Sequence, residues 1–242
     1  MLQLKNIDMY FNLGTVNESQ VFHNFNLTIE KGQFISVVGS NGSGKTTMLN
    51  LICGFMQPIK GDIEFEGKSI LQLAEYQRAH FIGRVFQDPG KGTSPSMTIL
   101  ENMALADNKG KTYGLRRGVA KKRIGYYQEQ LEQLNLGLED KLNVKVGALS
   151  GGQRQALSLL ICVMSPIKLL ILDEHTAALD PKTSERIMEL TDRLVREKDL
   201  TTLMVTHNLR FATQYGNRLL MMNKGEIIIE EADDKDILEQ LI

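Results

Sequence analysis

Two periodicities divide this chain. Apolar and polar residues alternate through Leu2–Asp8 and again through Asp62-Ile63-Glu64-Phe65-Glu66. A two-residue period predicts strands with one buried face. Strands are also expected at Asn26–Glu30 and Gly61–Glu66. A second group of runs is apolar throughout or rich in β-branched residues: Phe34–Val38, Phe81–Phe86, Leu169–Glu174, Thr201–Thr206, Arg218–Asn223 and Glu226–Glu230. Such runs read as strands buried on both faces, as in a parallel sheet. Asn223-Lys224-Gly225-Glu226 reads as a hairpin turn between the last two. Helical character follows in Met48–Cys53, Thr98–Leu105, Val119–Leu136 and Gln153–Met164, and a short acidic helix is expected at Asp233–Ile242. The pattern is α/β. It predicts one domain over 1–242, with core segments 1–89 and 149–242 flanking a helical insertion at about 90–148.

Composition changes little in this picture. The 242 residues are 42% hydrophobic and 24% charged, ordinary for a globular domain with a sizeable core. A formal net charge of −1 gives no global electrostatic argument for binding nucleic acid. No apolar run reaches the length of a membrane span. Cys53 and Cys162 stand far apart and read as buried thiols in a reducing compartment. Lys109–Arg123 holds seven Lys or Arg and no acid. It reads as a solvated loop, or as a contact with lipid headgroups or a partner's cytoplasmic loop.

The candidate chemistry begins at Gly39-Ser40-Asn41-Gly42-Ser43-Gly44-Lys45-Thr46, with Thr47 following. This GxxxxGK[ST] loop lies between a strand and a helix, the context that gives the pattern meaning. Glycines let successive N–H groups approach phosphates, and the helix turns its positive end to the same anion. Lys45 supplies a cation for the β- and γ-phosphates, and the Thr46 hydroxyl can ligate Mg²⁺. The chain is therefore expected to bind a nucleoside triphosphate. Ser150-Gly151-Gly152-Gln153, before a helix, offers a second anion cradle or a plain helix cap. Leu169–Glu174 ends in two carboxylates at the phosphate end of the predicted sheet, Asp173 for Mg²⁺ and Glu174 for the attacking water.

The order of these motifs resembles the nucleotide-binding subunit of ATP-binding-cassette (ABC) transporters, over nearly the whole chain. Gly39–Thr46 resemble Walker A, Leu169–Asp173 Walker B, and Ser150–Gln153 the family signature. Phe86-Gln87-Asp88 resembles the Q-loop, Ala178-Leu179-Asp180 the D-loop, and Thr206-His207 the switch histidine. The resemblance implies a P-loop core with an antiparallel β subdomain and an inserted helical subdomain. It implies an ATPase with ATP and Mg²⁺. Phe11, or Tyr10 just before it, would stack on adenine, and Gln87 would join Thr46 and Asp173 at the metal. Glu174, His207, Lys45 and Gln87 would act in catalysis. Ser150–Gln153 and Asp180 would meet the ATP bound to an opposite copy, in a homodimer. Transmembrane permease subunits would supply the membrane pathway, with an extracytoplasmic substrate-binding protein, and this chain would sit peripherally on the cytoplasmic face. Nucleic acid is not expected as a partner.

One position departs from the family: His175 stands where Pro usually follows the glutamate, and it reads either as a titratable ring beside the catalytic carboxylate or as a substitution that the loop tolerates. Glu174–Thr183 (EHTAALDPKT) resembles a branch grouped with binding-protein-dependent importers, including carriers of aromatic amino acids. The alternatives are a soluble ABC ATPase acting on nucleic acid or ribosomes, and an exporter or lipoprotein-release cassette.

Overall fold

Alternating and continuous apolar runs go to different sheets. The computed structural model describes residues 1–111 and 118–232. In chain order the strands are β1 (Leu2–Phe11), β2 (Ser19–Ile29), β3 (Phe34–Gly39), β4 (Lys60–Phe65), β5 (Lys68–Ser69), β6 (Ile82–Val85), β7 (Leu169–Asp173), β8 (Thr201–Val205), β9 (Arg218–Asn223) and β10 (Glu226–Ala232). An antiparallel sheet runs β2-β1-β4-β5, and a larger one runs β10-β9-β3-β8-β7-β6. In the larger sheet β9, β3, β8, β7 and β6 pair in parallel, and β10 closes one edge antiparallel. Every residue of β8 is buried, as expected for a parallel strand covered on both faces.

The alternation in β1 survives because of one irregularity. Asn6 takes φ 49° and the ladder shifts register between Leu4 and Ile7. Asn tolerates this left-handed conformation, and the bulge returns Ile7 and Met9 to the face buried by Leu2 and Leu4. Both strands of this hairpin exceed the sequence expectation. β1 continues past Asp8 to Phe11, and β2 begins at Ser19 rather than Asn26, with Tyr10 opposite Gln20 and Phe11 opposite Ser19. The backbone ladder holds this extension, so its polar composition concealed it.

The helices are α1 (Lys45–Cys53), α2 (Glu75–Arg78), α3 (Ile99–Asp107), α4 (Ile124–Glu132), α5 (Gly151–Met164), α6 (Pro181–Glu197) and α7 (Leu209–Tyr215). The long helix expected over Val119–Leu136 is instead a 3₁₀ turn at Lys121–Arg123 followed by α4. Asn135 at φ 53° and Gly137 at φ 63° end it. Asp107 takes hydrogen bonds from Arg123 Nε at 2.8 Å and from the Tyr127 hydroxyl at 2.9 Å, tying α3 to α4. Arg123 is therefore anchored to protein. Residues 112–117 of the basic stretch, and the acidic helix expected at 233–242, lie outside the described residues.

One core packs α3, α4, α5 and α6 on one side of the parallel sheet. The other fills the space between the two sheets around α1. Arg78, 1% exposed, closes the lower end of α1. Its guanidinium donates to the carbonyls of Leu51 at 2.7 Å and Ile52 at 3.1 Å, and to Leu71 and Leu73. The cation sits where the helix dipole is negative and satisfies carbonyls that the helix leaves open.

Candidate nucleotide site

The loop between β3 and α1 is held from two directions. Gly225, in the β9–β10 turn, donates its N–H to the Ser43 carbonyl at 3.0 Å. Phe22 of β2 lies against Gly44, so closely that a Cβ there would stand 2.8 Å from its ring. Gly44 also has φ 103°, so both its conformation and its neighbour require glycine. α1 receives no side-chain cap and has no acid in its first turn. By contrast α3, α5, α6 and α7 are capped by Thr98, Ser150, Asp180 and Asn208. The first amides of α1 thus remain available to an anion.

Lys45 is 5% exposed, and its ammonium donates to the carbonyls of Gly39 at 2.7 Å and Ser40 at 2.8 Å. Burial lowers its pKa, and the nearby Glu174 carboxylate opposes that shift. Ser40, Asn41, Gly42 and Thr46 are exposed, whereas Ser43 and Thr47 are buried. Thr46, Gln87, Asp173 and Glu174 line one cavity together with Asn50, Arg84 and Phe86. A hydroxyl, an amide and a carboxylate gathered there form a hard-oxygen set of the kind that suits Mg²⁺.

Strand register explains the other half of the site. Asp173 lies beside Val205 across the parallel β7–β8 pair. The residues just beyond each strand therefore emerge together at the carboxyl edge of the sheet, where open α/β sheets bind ligands. There His207 Nε2 stands 2.9 Å from Glu174 Oε1. Glu174 reaches this position with φ 48°, its N–H bonded to the Val205 carbonyl at 3.0 Å.

Of the two readings of His175, the ring beside the carboxylate is not what forms: it turns into the core, 2% exposed, with Nε2 3.3 Å from Thr191 Oγ1 of α6. Burial pushes its pKa down to about 4, so the ring is neutral at pH 7. It is a packing residue. Cys53 is buried as expected, and Cys162 is only partly covered.

The other expected site residues carry structural roles in the fold. Phe11 ends β1 and is 37% exposed. Asp88 caps the turn after Gln87 by accepting from Gly90 N at 2.8 Å. Asp180 caps α6, accepting from Thr183 N at 3.1 Å. Ser150 accepts from Gln153 N while Gln153 Oε1 accepts from Ser150 N, both at 3.2 Å, so in this chain the signature hydroxyl caps its own helix. Gly152 packs directly on α6, and a Cβ there would collide with Thr183 Cγ2.

Among the cavity side chains that escaped the sequence reading are Arg84 and Asn50. Arg84 Nη2 is 2.6 Å from Asp173 Oδ2, and Arg84 Nη1 is 2.8 Å from Asn50 Oδ1. The only signal was one charge inside the apolar run Phe81–Phe86.

An uncapped helix behind a glycine loop, at the carboxyl edge of a parallel sheet, with Asp173 and Glu174 where β7 ends at that same edge, defines a P-loop nucleoside triphosphatase. The ABC transporter family model matches residues 22–177, and the chain belongs to that family. A tyrosine transport ATP-binding protein of Clostridioides difficile (strain R20291) is 49% identical over 233 residues, covering 96% of this chain and 92% of that one. A thiamine import ATP-binding protein of Haemophilus influenzae (strain KW20) is 33% identical over 221 residues, covering 90% and 96%. The dimeric post-hydrolysis state of the ATP-binding cassette MJ0796, bound to ADP and Pi, superposes with TM-score 0.81 at 32% identity, covering 96% of this chain and 98% of that one. This chain is thus the ATP-binding subunit of an ABC transporter, an ATPase with a P-loop α/β fold.

Proposed function

We propose that this chain powers a binding-protein-dependent importer for aromatic amino acids by closing as a homodimer on two ATP molecules. The observation that carries the catalytic assignment is the 2.9 Å pair of Glu174 and His207, at the sheet edge that also bears Asp173. Glu174 acts as general base toward the attacking water. His207 holds that carboxylate and reaches the γ-phosphate on closure. Lys45, the α1 amides and the loop N–H groups of Ser40–Gly44 neutralise the phosphates. Thr46, Gln87 and Asp173 would hold Mg²⁺, which would offset phosphate charge. Phe11, exposed at the end of β1, offers a ring face to adenine. Ser150, Gly151, Gly152, Gln153 and Asp180 meet the nucleotide of the opposite copy. Residues 1–89 and 149–242 form the catalytic core, and about 90–148 the helical insertion.

Import is supported by relatives named for tyrosine transport and thiamine import, and the aromatic substrate class by the first of these. Dimeric neighbours support the two-copy arrangement. Among the described residues no helix is long and apolar enough to cross a membrane. The pathway is then supplied by permease subunits, and this chain is peripheral on the cytoplasmic face. Cells lacking the chain should lose uptake of labelled tyrosine and regain it with the wild-type gene but not with Glu174→Gln. The purified variant should keep ATP binding while hydrolysis falls by roughly 10²–10⁴-fold. Undiminished hydrolysis rejects the base assignment, and unchanged uptake in the deletion strain rejects the substrate.

A further inference from the structure

We infer that Arg84 is a resident counter-cation of the metal pole, competing with the divalent ion for Asp173 and thereby setting how strongly metal and nucleotide reinforce each other. The inference rests on the proposed role of Asp173 at the metal. Arg84 belongs to β6, two residues before Phe86-Gln87, so its strand leads straight to another candidate metal ligand. Its guanidinium lines the cavity with Thr46, Gln87 and Asp173. The side chain is 8% exposed and Asp173's is 16% exposed, so water shields the pair only partly.

The pairing holds the cation firmly in place without fully satisfying it. Nη2 meets Asp173 Oδ2 at 2.6 Å and Nη1 meets Asn50 Oδ1 at 2.8 Å. The guanidinium lies over Phe86, 4.8 Å from the ring centroid, and 5.6 Å from that of Phe55. Nε, however, is buried with no hydrogen-bond partner. A buried donor without an acceptor costs free energy, so this arrangement resists displacement less than a fully bonded one. A role as a mere strut is not needed, because β6 and β7 are already joined by a parallel ladder from Ile82–Leu169 to Val85–Leu172. One carboxylate cannot serve a guanidinium and a divalent cation without loss, since the two positive charges repel across a few ångströms.

The test is the coupling between metal and nucleotide in the full-length chain. Affinity for a fluorescent non-hydrolysable ATP analogue is measured in EDTA and in Mn²⁺, and the ratio is the coupling factor. In Arg84→Met the factor should rise by roughly fivefold or more, the effect of removing one partly screened charge. In Arg84→Lys, which keeps the charge but loses the fork to Asp173 and Asn50, it should rise less than in Arg84→Met. Asn50→Ala loosens the guanidinium without removing it and should raise the factor by less than Arg84→Met. An unchanged or lower factor in folded Arg84→Met overturns the inference, since a strut would not move this ratio upward. Should that variant not fold, an Asn50→Ala factor at or below wild type overturns it instead. Asp173→Asn separates the underlying assumption: if it leaves the wild-type factor intact, the metal assignment of Asp173 is what fails.

Discussion

At the residue scale, neighbours in sequence part company. Asp173, Glu174 and His175 are consecutive, yet the first meets Arg84, the second His207 and the third Thr191. The positive φ of Glu174 makes the division possible by turning the chain as it leaves β7. The fate of His175 has a pH consequence. Its folded pKa is depressed to about 4 from an ordinary 6.5, because burial disfavours the charged ring. Below pH 6.5 the unfolded chain takes up a proton that the folded chain refuses. Stability is therefore lost as pH falls from 6.5 toward 4, at up to about 1.4 kcal/mol per pH unit from this one group. Urea unfolding at intervals between pH 7 and 4.5 should show His175→Gln losing less stability than wild type across that window. Parallel profiles would mean that His175 is not held neutral by the core.

At the element scale, α5 carries two duties on the same residues. The Ser150–Gln153 pair forms a reciprocal cap that satisfies amides at the helix start. Gly152 lets that first turn approach α6. Elsewhere in a helix, replacing Gly by Ala gains about 1 kcal/mol. Here the added methyl meets Thr183, so Gly152→Ala should instead cost about 1–3 kcal/mol, as overpacking does. Adding Thr183→Ala should recover most of the loss, measured as the urea midpoint. A single variant as stable as wild type would refute the close approach. The pairing of β1 with β2 belongs to this scale too. Asn12–Gln20 looks like loop by composition, and its last residues are strand only because β1 lies beside them.

At the scale of the whole molecule, the features proposed to bind ATP come from two parts of the fold. The loop, Asp173, Glu174 and His207 gather at the sheet edge, while the signature turn lies on α5 against α6. One chain carries both kinds of element, so two copies related by a two-fold axis can complete each other's sites. Native mass spectrometry of the purified transporter should find two copies of this chain per complex. One copy beside a different ATPase chain would reject the homodimer. With ATP, Glu174→Gln should shift toward dimer on size-exclusion columns relative to wild type, because binding persists without turnover.

What the sequence determined by itself was the local chemistry. The phosphate loop, the buried strands and the order of acids after β7 are short-range patterns, because backbone conformation and apolar periodicity are written in neighbouring residues. The hairpin turn at Lys224-Gly225 was equally legible, with φ 45° and 81° at its centre. Tertiary structure decided what each polar group meets. Parallel register brought His207 to Glu174 from thirty-odd positions away, and the β6–β7 pair delivered Arg84 to Asp173. Packing against α6 turned His175 inward and required glycine at 152. Side-chain partners across a sheet or between helices depend on register and on the depth of burial, and no stretch of sequence states either alone.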